Sequence, residues 1–195
     1  MKLVVGLGNP GSEYEGTRHN TGFLMLDFIL GKKTNWKESG ITKALESKNS
    51  DLGKPTLFLK PTTFMNNSGN AVSQVKDKNK LKLDDIIVIY DDIDLPIGTM
   101  KLSFNKSSGG HNGLESIIKK LKSKEFLRIR IGIAPVTPSG KIKKPKGEEA
   151  MLKFLLGKYK EGELAELKKL SKKVGLAVET ALTEGKDKAM SLFNQ

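Results

Sequence analysis

The chain has 195 residues, of which 37% are hydrophobic and 29% charged; that is enough for one domain with a full core, and the apolar runs exclude a disordered chain. It contains no cysteine and two histidines, which excludes a disulfide scaffold, a thiol nucleophile and cysteine-ligated zinc, and argues against a histidine-rich metal site. Lys and Arg outnumber Asp and Glu by 34 to 22, a net charge of +12 that points to a polyanion, nucleic acid first, as partner.

Met1 leads straight into the strand-like run Lys2–Leu7, so no signal peptide is expected. The longest apolar stretch, Phe23 to Leu30, forms the helical pattern Gly22–Gly31 and is interrupted by Asp27. It is far short of the roughly 20 apolar residues of a membrane span. Thr42–Ser47 is a weak strand candidate and Thr56–Leu59 a strong one. A helix is predicted over Gly69–Lys78, then a strand over Ile86–Tyr90. Leu3-Val4-Val5 and Ile86-Ile87-Val88-Ile89 are continuously apolar, as suits central strands buried on both faces. Thr99–Phe104 reads as a strand, Gly113–Lys122 as a helix and Leu127–Ile133 as a strand whose alternation places Arg128 and Arg130 on one face. Pro135 to Gly147, with three prolines and four lysines, reads as a mobile basic loop; a plain solvated connection and a substrate cover fit that composition equally. Glu148–Leu156, Glu161–Glu184 and Asp187–Phe193 close the chain as helices. The alternation predicts a single α/β domain over residues 1–195, with helices packed on a largely buried sheet.

Five short motifs carry polar groups at the ends of these elements. Gly6-Leu7-Gly8-Asn9-Pro10-Gly11 formally matches G-x-G-x-x-G, but a polar stretch precedes the helix and no acidic residue ends a second strand about 20 residues on. The nicotinamide reading therefore fails. Its glycines are expected to turn the backbone and to place Asn9 at the strand's carboxyl end. Thr17-Arg18-His19-Asn20 offers an imidazole just before a helix, the commonest general base near neutral pH. Phe64-Met65-Asn66-Asn67-Ser68 reads as helix capping or as an amide offered to a ligand. Asp91-Asp92-Ile93-Asp94 follows a buried strand and suits turn chemistry, a magnesium site or a carboxylate that orients an imidazole. Gly109-Gly110-His111-Asn112 resembles a phosphate-cradling turn and repeats the His-Asn doublet. The chain uses only three arginines, Arg18, Arg128 and Arg130, among many lysines, so each is a candidate for a geometric task. With His and Asp available, no cysteine and no G-x-S-x-G serine, direct attack by water on an ester fits best. The basic surplus assigns the alcohol to a nucleic acid.

Taken in order from residue 3 to about 133, these motifs, together with Pro61-Thr62-Thr63 and Arg128-Ile129-Arg130-Ile131-Gly132, closely resemble the bacterial peptidyl-tRNA hydrolase family. The resemblance implies a mixed twisted sheet flanked by helices, and a cytoplasmic, monomeric esterase that frees tRNA from peptide. It implies His19 as the base that activates water, Asp91 as the group that holds His19, and Asn9 as the residue that senses a peptidyl group. Tyr14, Phe64, Met65, Asn66, His111 and Asn112 would line the site for the peptide and the tRNA 3′ end, and Arg130 would grip the 5′ phosphate of the acceptor stem. No metal or organic cofactor is implied. The family's usual second clamp lysine aligns with Ser103, so Lys101 or Lys106 would have to replace it. A non-catalytic RNA-binding role on the same fold is the rival, and the presence of both His19 and Asp91 argues against it.

Overall fold

A computed structural model describes residues 1–31 and 33–195. Seven strands, β1 (Lys2–Gly6), β2 (Lys37–Ser39), β3 (Ala44–Asn49), β4 (Thr56–Pro61), β5 (Ile86–Pro96), β6 (Met100–Phe104) and β7 (Leu127–Ala134), form one sheet in the order β2-β3-β4-β1-β5-β7-β6. The inner four, β4, β1, β5 and β7, are parallel, and antiparallel strands close both edges. The six helices are α1 (Thr21–Leu30), α2 (Ser68–Lys78), α3 (Asn112–Leu121), α4 (Glu148–Leu155), α5 (Glu161–Thr183) and α6 (Lys186–Phe193).

The continuous apolar runs sort by parity, because neighbouring side chains on a strand face opposite ways. Val4, Ile87, Ile89 and Ile129 pack against α1, α5 and α6, whereas Leu3, Val5, Val88 and Leu57 pack against α2 and α3. Each fully buried Leu, Ile or Val contributes about 1.5–3 kcal/mol, so the parallel strands are fixed from both sides. The stripe Leu167, Leu170, Val174, Ala177 and Ala181 seats α5 on the sheet.

Three departures from the sequence expectations have physical causes. Strand β2, a three-residue polar edge, carries no apolar pattern to betray it, and β3 lies two residues beyond Thr42–Ser47. The acidic run is not a turn: β5 continues through Asp91 to Pro96 with a register shift after Asp92, because β7 supplies backbone partners alongside. Finally, Gly6 and Gly8 do not turn the chain; of the motif only Gly11 has a positive φ, 111°. Gly6 is small for another reason. A Cβ there would lie 2.4 Å from the Gly22 carbonyl oxygen, and one on Gly22 would lie 2.2 Å from the Leu7 nitrogen. Backbone thus meets backbone where α1 starts, and this contact brings the residues just before α1 to the carboxyl ends of β1 and β5. Helix α1 crosses one face of the sheet and α2 the other, so the chain reverses direction beside β1. Open α/β sheets bind ligands at that point.

Candidate active site

Asp91 ends the buried part of β5 and is 3% exposed. Its two oxygens are each used once: His19 Nδ1 lies 3.0 Å from Oδ2, and His111 Nε2 lies 3.1 Å from Oδ1. His19 sits on a short 3-10 turn, Arg18–Asn20, that leads into α1. This turn is tied to the far end of the chain. The Arg18 guanidinium donates to the carbonyls of Gly157 and Lys158 and to the Glu163 carboxylate, and it lies 4.5 Å over the Phe154 ring. Thr21 next to it bonds the Tyr159 hydroxyl at 2.6 Å.

The tautomers follow from the donors present. His111 is the N-cap of α3, and its Nδ1 accepts the Leu114 N–H at 3.2 Å. An acceptor at Nδ1 makes Nε2 the protonated nitrogen of a neutral ring, and that N–H points at Asp91. For His19, Nδ1–H donates to Asp91 and Nε2 keeps its lone pair. Burial alone would lower the pKa of His19; the Asp91 charge and hydrogen bond override it and raise the value above the ordinary 6.5. Burial alone would raise that of Asp91, but the two imidazoles hold it well below the usual carboxylate range. Asp91 is therefore an anion at any pH at which the fold would work.

His19, Asp91 and His111 bring three possible ligand atoms within 4.8 Å of one another, the one such group among the described residues. A cation there would need the lone pair of His111 Nε2. The ring would then carry its proton on Nδ1, facing the Leu114 N–H, donor against donor. The site is built for two shared protons rather than for an ion.

Asn9 is held on three sides. Its backbone N–H donates to Asn20 Oδ1 at 2.8 Å, and its carbonyl accepts Asn20 Nδ2 at 2.9 Å. Its own Oδ1 accepts the Met65 N–H at 2.7 Å. The amide edge left over is Nδ2, a pure donor. Met65 is buried, with its sulfur against the start of α3, where a Cβ on Gly113 would come within 2.4 Å of it. Phe64 adopts φ 56°, rare for an aromatic residue, and is 53% exposed, with the Tyr14 ring edge-on at 6.2 Å. Asn66 is exposed on the adjoining turn.

A cavity of about 740 Å³ opens beside the histidines. His19, Asp91, His111, Asn112 and Arg130 line it, while Asn9, Tyr14, Phe64, Met65 and Asn66 lie outside it, with Asn9 tied to Asn20, the neighbour of His19, and to Met65. The three arginines divide. Arg18 and the fully buried Arg128 hold backbone carbonyls, the latter those of Lys106, Ser107 and Lys124. Arg130 faces the cavity and donates Nε to Asp92 at 2.6 Å. Lys101 stands directly across the β6–β7 pair from Arg130 and also lines the cavity. Lys106 lines the cavity as well, on a segment whose Lys106 and Ser107 carbonyls Arg128 holds. Asp94 pairs with Lys144 of the 135–147 segment. That segment folds into a small turn, with Val136 bridged to Ile142 and the Thr137 N–H on the Lys141 carbonyl.

Sequence reasoning left two structural supports without a role. Asn20 was visible only as half of a doublet, and nothing local shows that its amide clamps a residue 11 positions earlier. Asp92 was one acid among three, and only the β5–β7 register brings it to Arg130.

Known proteins share this arrangement of elements. A family model described as "Peptidyl-tRNA hydrolase" matches residues 3–195. The chain is 40% identical to the peptidyl-tRNA hydrolase of Lachnospira eligens over 194 residues, the whole of both chains. It is 41% identical to that of Thermotoga maritima over 192 residues, 98% of this chain and 96% of the other. The crystal structure of peptidyl-tRNA hydrolase from Acinetobacter baumannii superimposes with a TM-score of 0.86 at 28% identity, covering 100% of this chain and 94% of that one. A match that runs through every motif of the His–Asp–His cluster and on through the last helix leaves one assignment: this chain belongs to the peptidyl-tRNA hydrolase family.

Proposed function

We propose that this chain hydrolyses the ester bond between a peptide, or an N-blocked amino acid, and tRNA, with His19 as the base that activates water. The observation that carries the mechanism is the orientation of His19: Nδ1 is committed to Asp91, so Nε2 keeps a lone pair at the edge of the cavity. Nε2 takes a proton from water as the oxygen attacks the ester carbonyl carbon. The tetrahedral intermediate then expels the ribose oxygen, which takes that proton back from the imidazolium. The products are a peptide acid and a tRNA with a free hydroxyl. Asp91 stabilises the transient imidazolium and holds its tautomer.

Asn9 suits the peptide side. Its free Nδ2 donates, so that edge matches a peptide carbonyl oxygen and meets an α-ammonium group, itself a donor, unfavourably. The exposed Phe64 ring, edge-on to Tyr14, supplies apolar surface beside it, with Asn66 at the rim. The tRNA end fits the cavity. Asn112 and His111 stand at its wall, and Arg130 and Lys101 form an adjacent cationic pair suited to the 5′ phosphate, with Arg130 steadied by Asp92. In this reading Lys101, not Lys106, takes the place of the clamp lysine that Ser103 lacks. The enzyme acts as a cytoplasmic monomer in this reading. Among the described residues no helix is long and apolar enough to cross a membrane.

The assay is release of N-acetylated amino acid from tRNA by the purified chain, with unblocked aminoacyl-tRNA as control. Catalytic release of the blocked substrate, and little of the free one, is expected. Binding of tRNA without release would favour a non-catalytic RNA-binding role and refute the proposal.

A further inference from the structure

His111 is more than a wall. We infer that His111, through the carboxylate it shares with His19, sets the basicity of His19 and so the pH at which the site becomes active. This inference rests on His19 being the base.

Three observations lead to it. First, Asp91 is buried and its two oxygens are divided evenly, one N–H from each ring at 3.0 and 3.1 Å. A carboxylate's pull on one donor weakens as another donor draws on the same charge. Second, the Nδ1 of His111 is occupied by the Leu114 N–H, which places the ring's proton on Nε2, facing Asp91. Protonating that nitrogen would break the N-cap and set donor against donor. His111 is therefore fixed as an Nε2–H donor to Asp91. Third, the ring centres are 5.0 Å apart, so both rings draw on the one carboxylate at close range.

Most of the other charged groups around the pair are engaged, and Lys101 and Lys106 also line the cavity. On β5, Asp92 is paired with Arg130 of β7, and Arg128 of β7 is spent on carbonyls. On the turn carrying His19, Arg18 is paired with Glu163 of α5. Tyr90 lies edge-on to His111, its ring centre at 4.9 Å. Burial, with Asp92 nearby, pushes its phenol up to about 12, so it stays neutral. Tyr159, bonded to Thr21, is likewise pushed up by burial. What tunes His19 directly is the division of the Asp91 charge.

The chain has two histidines, so nuclear magnetic resonance of the imidazole nitrogens follows both without crowding. In the wild type, His111 should show the Nε2–H signature and neutral His19 the Nδ1–H signature. In His111→Asn, which keeps an N-cap residue, Asp91 loses one donor and its charge falls more fully on His19. The His19 pKa should rise by about 0.4–1.1 units, the worth of one ordinary hydrogen bond. The acid limb of kcat/KM should move upward by the same amount. A wild-type His111 that carries its proton on Nδ1 overturns the inference without any variant. So does a folded His111→Asn protein whose His19 pKa is unchanged or lower. A shifted His19 pKa with an unmoved acid limb would leave the coupling intact but overturn the assignment of His19 as base, and with it the control of activity.

Discussion

Removing the Asn20 amide tests whether Asn9 is held in place by its neighbour's side chain. Asn20 is 5% exposed and makes both of its hydrogen bonds to the Asn9 backbone, at 2.8 and 2.9 Å. Asn20→Ala leaves one buried N–H and one carbonyl unpaired. Each such group costs about 1–3 kcal/mol, so the total is about 2–6 kcal/mol. For a chain of this size that lowers Tm by roughly 4–24 °C, at about 2–4 °C per kcal/mol. The same loss frees the turn that presents Asn9 Nδ2, and a displacement of about 1 Å near the chemistry can cost on the order of 10²-fold in rate. Asn20→Asp separates the two bonds. Its carboxylate still accepts the Asn9 N–H but sets an oxygen against the Asn9 carbonyl, so it should be destabilised as well. Thermal melts by circular dichroism and kcat/KM on N-blocked aminoacyl-tRNA below each variant's Tm provide the readout. If Asn20→Ala melts within 1–2 °C of wild type, below the roughly 4 °C minimum, and keeps its kcat/KM, the clamp does not hold Asn9.

Other expectations follow from the same geometry. Asp91→Asn cannot accept from both imidazoles, so His19 loses its enforced tautomer; kcat should fall by up to about 10⁴-fold, and the acid limb should move down from its position above 6.5 because the group that raises the His19 pKa is gone. Gly22→Ala forces a methyl against the Leu7 nitrogen and the Ile89 carbonyl, an overpacking cost of about 1–3 kcal/mol that should lower Tm by roughly 2–12 °C. Arg130→Ala and Lys101→Ala should each raise KM for 5′-phosphorylated tRNA with kcat nearly unchanged, the pattern of weakened uniform binding. Each should also reduce the slope of log K against log salt by about 0.7–0.9 for every phosphate no longer neutralised.

The parallel core was legible because its signal is local. Leu3-Val4-Val5 and Ile86–Ile89 are apolar without alternation, and such runs are buried on both faces wherever they fall. The polar edge strand β2 and the extension of β5 past Asp91 were not legible, since backbone pairing with a neighbour, not side-chain pattern, makes them strands. At the site, residue types revealed His19, His111 and Asp91. Their connection is a product of the sheet: β5 brings Asp91, the Gly6–Gly22 contact brings His19, and the α3 cap brings His111. The tautomer of His111 depends on the Leu114 N–H, which every residue but proline has and no motif marks. The free donor of Asn9 depends in the same way on the Met65 N–H, 56 residues away. The side chains of this candidate site could be read from sequence; the backbone groups that choose their hydrogen-bonding faces could not.

The central claim is that His19, oriented by Asp91, activates the attacking water. The most direct test is the single-turnover rate of N-acetylaminoacyl-tRNA hydrolysis by His19→Ala under saturating enzyme, set beside wild type. The ring donates to the buried Asp91 carboxylate, so the variant should lose about 1–3 kcal/mol, roughly 2–12 °C in Tm, and still fold and bind tRNA below that Tm. Its hydrolysis rate should fall by about 10²–10⁴-fold, the usual contribution of a positioned general base. A folded His19→Ala protein that hydrolyses the substrate at close to the wild-type rate would contradict the account.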